Sequence, residues 1–265
     1  MNLKKLKPFS NSSRHSLLLT KNLLCKNNKI LKNLKKGIKN KSGRSSITGH
    51  ITVRHQGGGV KNLFRTINFT NDKFSAIVVS ILYDPKRSAF ISLNFDLKKK
   101  LFFYSLNTNY IFPGSFICCD SNNIDLKLGF RTVLKNIPTG SVISCLSFSK
   151  LKNQKINFIR SGGTFGQIIQ KDFFSSKIKL PSSEIIEVPV LSYATIGSVS
   201  NNLQKSIVYG KAGRRRYLGK RPSVRGIAMN PVDHPHGGRT NGGRPSVTPW
   251  GIPTKGKPTV KKKNG

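Results

Sequence analysis

The last fifty-five residues, 211–265, hold fourteen Lys or Arg against a single acid, Asp233, and are threaded with Gly, Pro and Asn where a folded domain places Leu, Ile and Val. Such a segment buries too little apolar surface to offset the entropy of ordering its backbone, so a polyanion is expected to give it shape. Charge elsewhere is uneven. Residues 1–65 carry sixteen cations and no acid, whereas residues 66–210 carry seventeen cations against eight acids. Two basic arms therefore flank a milder centre, and the formal net charge of the 265 residues is +38. Nucleic acid is the anion that fits best: engaging about ten phosphates would make affinity fall as roughly the ninth power of salt concentration. A lipid surface fits poorly, because no run of eighteen apolar residues exists and the cations are not confined to one amphipathic helix. No membrane partner is expected.

The four cysteines, Cys25, Cys118, Cys119 and Cys145, show no C-x-x-C pairing. They are read as free thiols in a reducing interior, and no metal site is expected. In the amino-terminal arm Leu23, Leu24, Ile30, Leu31, Leu34 and Ile38 recur at near-helical spacing, which allows a short helix. A cleavable transit peptide is the competing reading, although Arg14 is the only Arg before Arg44. The plainer expectation is an arm lying on RNA.

From Ile47 the pattern changes to period two with β-branched residues. Strands are expected at 51–53, 64–69, 76–82, 89–95 and 101–106, separated by turn-forming stretches such as Gln56-Gly57-Gly58-Gly59 and Tyr83-Asp84-Pro85-Lys86-Arg87. Five strands at this spacing suit a small Greek-key barrel of the oligonucleotide-binding (OB) type. A second block, with strands at 115–119, 131–134, 141–148, 155–160, 165–169, 175–180 and 185–188, reads as a second small barrel ending near Val199. Each block is close to the lower size limit for a single core, so the two are expected to pack together. The fold class is all-β, divided into a basic extension (1–45), a first barrel (46–112), a second barrel (113–200) and a basic tail (201–265).

Several motifs carry the chemistry. Arg54 and His55 stand beside the triple glycine Gly57-Gly58-Gly59, whose missing Cβ atoms let backbone approach a phosphate; Val60-Lys61-Asn62 does not complete a P-loop. In the turn from Tyr83 to Ser88, Asp before Pro restricts the backbone and sets Lys86 and Arg87 at the tip, either for RNA or merely solvated. Lys211, Arg214, Arg215, Arg216, Lys220 and Arg221 cluster with small residues and Tyr217, and guanidinium groups both fork onto phosphates and stack on bases. Asp233-His234-Pro235-His236 admits two chemistries. Metal binding lacks a third ligand nearby, and acid-base work by His234 with Asp233 as orienter lacks a nucleophile and a rigid pocket. A free-standing RNA-acting enzyme using Asp233 and His234 stays as the alternative function.

These motifs, in this order, carry a resemblance. Gly49-His50-Ile51-Thr52-Val53-Arg54-His55, Tyr83 to Ala89, Asn136-Ile137-Pro138-Thr139-Gly140, Arg160-Ser161-Gly162-Gly163-Thr164, Ala194-Thr195-Ile196-Gly197 and nearly everything from Gly210 to Gly256, including Val224 to Gly238, resemble the bacterial-type large-subunit ribosomal protein family L-two over about 200 residues. The resemblance implies an OB-fold barrel, then an SH3-like barrel, then an extended tail reaching the peptidyl transferase centre. It implies a structural constituent of the large subunit, not an enzyme, that binds large-subunit rRNA, neighbours other ribosomal proteins and helps bridge to the small subunit. Neither a small-molecule substrate nor a cofactor is implied beyond Mg2+ as an RNA counter-ion. RNA contacts are then expected from Arg54, His55, Gly57, Gly58, Gly59, Lys61 and Arg65 in the first barrel, from Lys86, Arg87 and Arg160 on loops, and from the tail. The tail set is Lys211, Arg214, Arg215, Arg216, Lys220, Arg221, Arg225, Asn230, His234, His236, Arg239, Arg244, Trp250, Lys255 and Lys257. His234, with Asp233 and His236 beside it, is read as a positioning group near the peptidyl transferase centre.

The chain departs from the family pattern at Val60, at Gly237-Gly238-Arg239-Thr240 and at Lys152-Asn153-Gln154-Lys155, which puts local RNA contacts in question. Abundant Lys, Asn, Ile, Phe and Ser point to an A·T-rich coding genome, and the arm looks more like mitochondrial members. The mitochondrial matrix is the expected location, with chloroplast stroma or bacterial cytoplasm as alternatives.

Overall fold

The computed structural model describes residues 3–22, 24–25, 33–38, 41–121, 125–148, 156–239 and 245–256. Its strands are β1 (Leu3–Lys5), β2 (Leu17–Leu19), β3 (Lys35–Gly37), β4 (Leu63–Arg65), β5 (Phe74–Leu82), β6 (Ile91–Asp96), β7 (Phe102–Leu106), β8 (Phe116–Cys119), β9 (Arg131–Val133), β10 (Val142–Ser144), β11 (Gly166–Lys171), β12 (Ser175–Lys179), β13 (Ile185–Pro189) and β14 (Tyr193–Ile196). Among the described residues two short helices, α1 (Asn11–Arg14) and α2 (Ala212–Tyr217), complete the regular structure apart from short 3-10 turns. The molecule is all-β, an OB-fold barrel followed by an SH3-like barrel with basic arms at either end.

Contacts divide the chain into one unit of Met1–Asn40 and Val60–Arg214 and another of Lys41–Gly59 and Arg215–Gly265. This differs from the division drawn at 45/46 and 200/201. The segment ahead of the first barrel clusters with the tail, and residues 201–214 cluster with the barrels.

In the larger unit a ten-stranded sheet runs in the order β13-β12-β11-β10-β14-β9-β8-β5-β6-β7. All its pairings are antiparallel except β8 with β9, which meet in parallel at Cys119 and Arg131. A bulge between Val78 and Ser80 lets the long β5 bend as a barrel strand must. The first core gathers Ile91, Leu93, Tyr104, Leu82 and Ile67, and the second gathers Leu134, Ile143, Leu146, Ile168, Ile178 and Val188. Cys145, Ile156 and Val199, from beyond the first barrel, join the first core, so the two barrels share packing as expected. Burying each such aliphatic side chain contributes about 1.5–3 kcal/mol. Cys118 and Cys119 are both buried, and burial first of all pushes their thiols up to about 11, which leaves them unreactive.

Several local expectations are corrected. Residues 51–53 form no strand: Ile51 makes one bridge to Arg44, while the N–H groups of Thr52 and Val53 both reach the Gly43 carbonyl. Gly43 turns the chain there at φ +73, which ties those amides into a loop. The strand expected at 64–69 runs instead from Leu63 to Arg65, because its partner is β3 of the amino-terminal arm. That pairing also corrects the helix expected near Leu34 and Ile38; Leu23, Ile30 and Leu31 lie outside the described residues. The strand expected at 141–148 stops at Ser144, where Cys145 adopts φ +52 and turns the chain; of the strand expected at 155–160, residue 155 lies outside the described residues and 156–160 form only a bridge from Phe158 to Leu146. Strand β14, unforeseen as a strand, lies between β9 and β10.

The amino-terminal arm is tied into the fold. Its β1 and β2 pair with each other, Leu17 bridges Val208, and Leu24 is buried with Ile81 and Phe90. At the seam of the two barrels, Arg131 is 6 % exposed and donates from Nη1 to the Thr70 carbonyl at 3.0 Å and from Nη2 to the Cys145 carbonyl at 3.3 Å. One guanidinium thus holds backbone from both barrels. Hydrogen bonds to a charged group contribute about 1.5–3 kcal/mol each, so Arg131→Leu, which strands two carbonyls, is expected to cost about 3–6 kcal/mol. Urea unfolding of the RNA-free protein checks this, and an unchanged midpoint would show that the seam does not depend on Arg131.

Candidate nucleic-acid interface

In the unit of Lys41–Gly59 and Arg215–Gly265, the triple glycine does something the sequence did not announce. Gln56 bridges Lys220, the Gly57 N–H donates to the Gly219 carbonyl at 3.1 Å, and the Arg221 N–H donates to the His55 carbonyl at 3.1 Å. A Cβ on Gly59 would lie 2.8 Å from the Gly219 nitrogen, and Gly59 itself has φ +93. Gly59 is therefore needed for close approach of backbone to backbone within the protein, rather than of backbone to phosphate alone. This pairing sets Arg54 and His55 beside Lys220 and Arg221, all four exposed.

The stretch Val224 to Gly238 closes on itself. The N–H groups of Asp233 and His234 both donate to the Asn230 carbonyl, the Gly237 N–H donates to the His234 carbonyl at 2.8 Å, and that of Gly238 to the Met229 carbonyl. Gly237 lies so close to the Asn230 backbone that any Cβ would overlap it, and Gly226 lies under the His234 ring. His234 is buried at 7 % exposure, and its Nδ1 accepts the His236 backbone N–H at 3.0 Å. In a neutral imidazole that acceptor role leaves the proton on Nε2. Burial, then His236, then the Arg54 charge hold the His234 pKa below its ordinary value. His236 packs against it with ring centroids 4.6 Å apart, and its Nε2 meets the Pro245 carbonyl at 2.8 Å. This tethers a small hairpin in which Thr248 and Ile252 pair, Gly251 turns at φ +78, and Trp250 stands 66 % exposed with the Arg54 guanidinium 5.6 Å from its ring centre. Arg215, Arg216, Arg225, Arg239 and Lys255 are exposed on the same unit, as is Asn230. Arg244 and Lys257 lie outside the described residues.

The larger unit treats its cations differently. Asp84 is 1 % exposed and receives Arg65 at 3.7 Å and Arg87 at 3.4 Å. Arg87 lies 5.1 Å from the centre of the Phe69 ring, and Arg160 lies 5.7 Å from it. Two loops are locked together to make this cluster: the Gly162 N–H donates to Ser88 Oγ at 2.9 Å, and Asn201 donates to the Ser88 carbonyl. Burial lowers the Arg87 pKa, Asp84 partly restores it, and Arg160 acts in the same sense as burial. The expected display of Arg87 at a turn tip is thus a half-buried, anchored guanidinium, while Lys86 and Arg160 remain exposed. Arg214 is likewise used inside the fold, donating to the Tyr209 carbonyl and Ser16 Oγ, whereas Lys61 and Lys211 are exposed. Asp84 was legible only as a turn former; Phe69, Gly226 and the seam residue Arg131 carried no signal that sequence reasoning could use.

Because the folded-state pKa of His234 lies below its unfolded value, the stability it contributes is fully present above about pH 6.5 and declines as the pH falls through that value towards the folded pKa. Proton NMR should place its midpoint below the reference. A Cβ at 226 would sit 2.7 Å from His234 Nδ1 and Cε1. Gly226→Ala should therefore displace the ring and return the midpoint towards about 6.5; an unmoved midpoint would show that the ring does not depend on this glycine.

The family model described as Ribosomal Proteins L2, RNA binding N-terminal domain matches residues 31–119, and that described as Ribosomal Proteins L2, C-terminal domain matches residues 127–251. The chain is 44% identical over 269 residues to large ribosomal subunit protein uL2m of Reclinomonas americana, covering 99% of this chain and 95% of that one. It is 46% identical over 268 residues to large ribosomal subunit protein uL2 of Rickettsia felis, covering 99% and 96%, and 45% identical over the same length and shares to that of Rickettsia massiliae. Two domain models in order and near-complete coverage of full-length relatives leave one conclusion: this chain belongs to the ribosomal protein L2 family.

Proposed function

We propose that the chain is a structural RNA-binding constituent of the large ribosomal subunit that supports association with the small subunit and buttresses the peptidyl transferase centre. The observation that carries this is the charge of the smaller unit. Its described residues include ten Lys or Arg and one acid, Asp233, folded around backbone pairs and tight glycines rather than ion pairs. Such a surface is complete only against phosphates. In the larger unit the Arg87–Phe69–Arg160 stack supplies two guanidinium groups held at fixed spacing, which suits a folded RNA better than mobile lysines do. Partners on this reading are large-subunit rRNA, neighbouring ribosomal proteins and, across a bridge, the small subunit. Mg2+ serves only as an RNA counter-ion, and no small-molecule substrate is involved. The likeness to a mitochondrial relative supports a mitochondrial ribosome as its location, while the likeness to bacterial relatives supports the same role in a bacterial-type particle.

The His234 tautomer supports a role in positioning rather than proton transfer: its Nδ1 accepts the His236 backbone N–H, so that nitrogen is already engaged and does not donate to Asp233. What His234 offers is an Nε2–H donor.

Three outcomes test the proposal. The protein should co-migrate with large subunits in low salt on sedimentation; recovery of most of it free of ribosomal particles would sink the reading. Changing Arg215 and Arg216 together to Gln should flatten the slope of log affinity against log salt for large-subunit rRNA by up to about 2, roughly one unit for each phosphate no longer neutralised. In assembled subunits, His234→Gln should keep single-turnover peptide-bond formation within about tenfold, whereas loss of a general acid or base typically costs on the order of a hundredfold or more.

A further inference from the structure

We infer that a cavity in the smaller unit receives one unstacked nucleotide of the bound RNA, its base against Trp250 and its phosphate on the surrounding arginines. The inference rests on the RNA-binding reading above and names what that surface takes at one place. The cavity has a volume of about 780 Å3, within the roughly 300–1,000 Å3 typical of small-ligand sites. Arg44, Arg54 and Arg221 line it, so an anionic group is welcome there. Yet its lining is not what a phosphate alone would need. Ile51, Val53 and Val224 stand 50 %, 49 % and 56 % exposed, and Trp250 is 66 % exposed, in the most cationic part of the chain.

Exposed apolar side chains gathered around guanidinium groups call for a ligand with a flat apolar face and a negative charge together, and a nucleotide is the chemistry that has both. A base inside a paired stem has its faces covered by its neighbours, so only an unpaired, splayed-out nucleotide presents one. Trp250 already has a cation over its ring in Arg54, and a guanidinium plane is a second surface on which a base can lie. Asp233 also lines the cavity and brings its only carboxylate. A phosphate is repelled by that group, whereas the amino groups of guanine, adenine and cytosine can donate to it. Uracil lacks an exocyclic amine and should be the poorest fit.

Trp250 is the only tryptophan of the chain, so its emission reports on this cavity alone. The test titrates the full-length protein with two RNA hairpins of equal length and charge, one fully paired and one carrying a single bulged guanosine. The bulged hairpin should bind roughly tenfold tighter, within the span that base–aromatic stacking contributes, and should quench the emission. Trp250→Leu should abolish the preference, weakening the bulged hairpin roughly tenfold more than the paired one, with the salt slope of both unchanged because no phosphate contact is removed. Trp250→Phe should keep most of the preference. Since the ring is largely exposed, neither change should disturb folding, which a melting curve verifies. Equal affinity for the two hairpins, with no selective quenching, would overturn the inference while leaving RNA binding intact. Binding of neither hairpin in low salt would overturn RNA binding itself. Quenching by an acidic, aromatic peptide but not by the bulged hairpin would assign the cavity to a protein partner and equally overturn the inference.

Discussion

Like charges must be held together before any partner arrives. Among the described residues of the smaller unit ten cations share a compact fold with one carboxylate, and Asp233 forms no ion pair there. The chain meets this constraint with backbone. The pairing of 55–57 with 219–221 and the closed turn from Asn230 to Gly238 use N–H and carbonyl groups, which carry no net charge to repel. Gly59, Gly226 and Gly237 permit separations that any side chain would forbid. The cations are thus left facing outward, where phosphates can release their counterions and relieve the repulsion.

The larger unit solves the opposite problem, because carboxylates stand among its cations. Asp84, nearly inaccessible to solvent, holds Arg65 and Arg87 and thereby orients Arg87 over Phe69. Breaking a buried pair of this kind by removing one partner is far more costly than losing a surface pair, since the remaining charge stays desolvated. Arg131 plays a similar part at the barrel seam, where carbonyl dipoles rather than a carboxylate receive the guanidinium. Exposed pairs such as Lys127 with Asp125 contribute little by comparison.

Motif and geometry agree most closely where the sequence is locally constrained. The alternating runs at 76–82, 89–95, 101–106 and 175–180 became β5, β6, β7 and β12 with small shifts at their ends, because alternation of apolar residues identifies a strand face wherever it runs far enough. The run at 51–53 has the same β-branched residues, yet no neighbouring strand competes with Gly43 for its amides, and it stays a loop. Strand β14 carries only a short apolar stretch and became a strand because β9 and β10 flank it. The two histidines of the tail were visible by name alone; the burial of His234 depends on Gly226, eight residues away, and its tautomer on the His236 N–H.

By itself the sequence determined the charge, the all-β class, the two successive cores and the family, since each is written in residue type, period two spacing or motif order. Tertiary structure alone decided which cations remain free. Arg87, Arg65 and Arg214 are drawn inward by Asp84, Tyr209 and Ser16, while Arg54 is left beside Trp250. It also decided that residues 41–59 belong with the tail. The physical reason is the same in both cases: a charge or an unpaired amide goes to whichever partner the fold brings within about 3 Å, and that partner is usually far away in sequence.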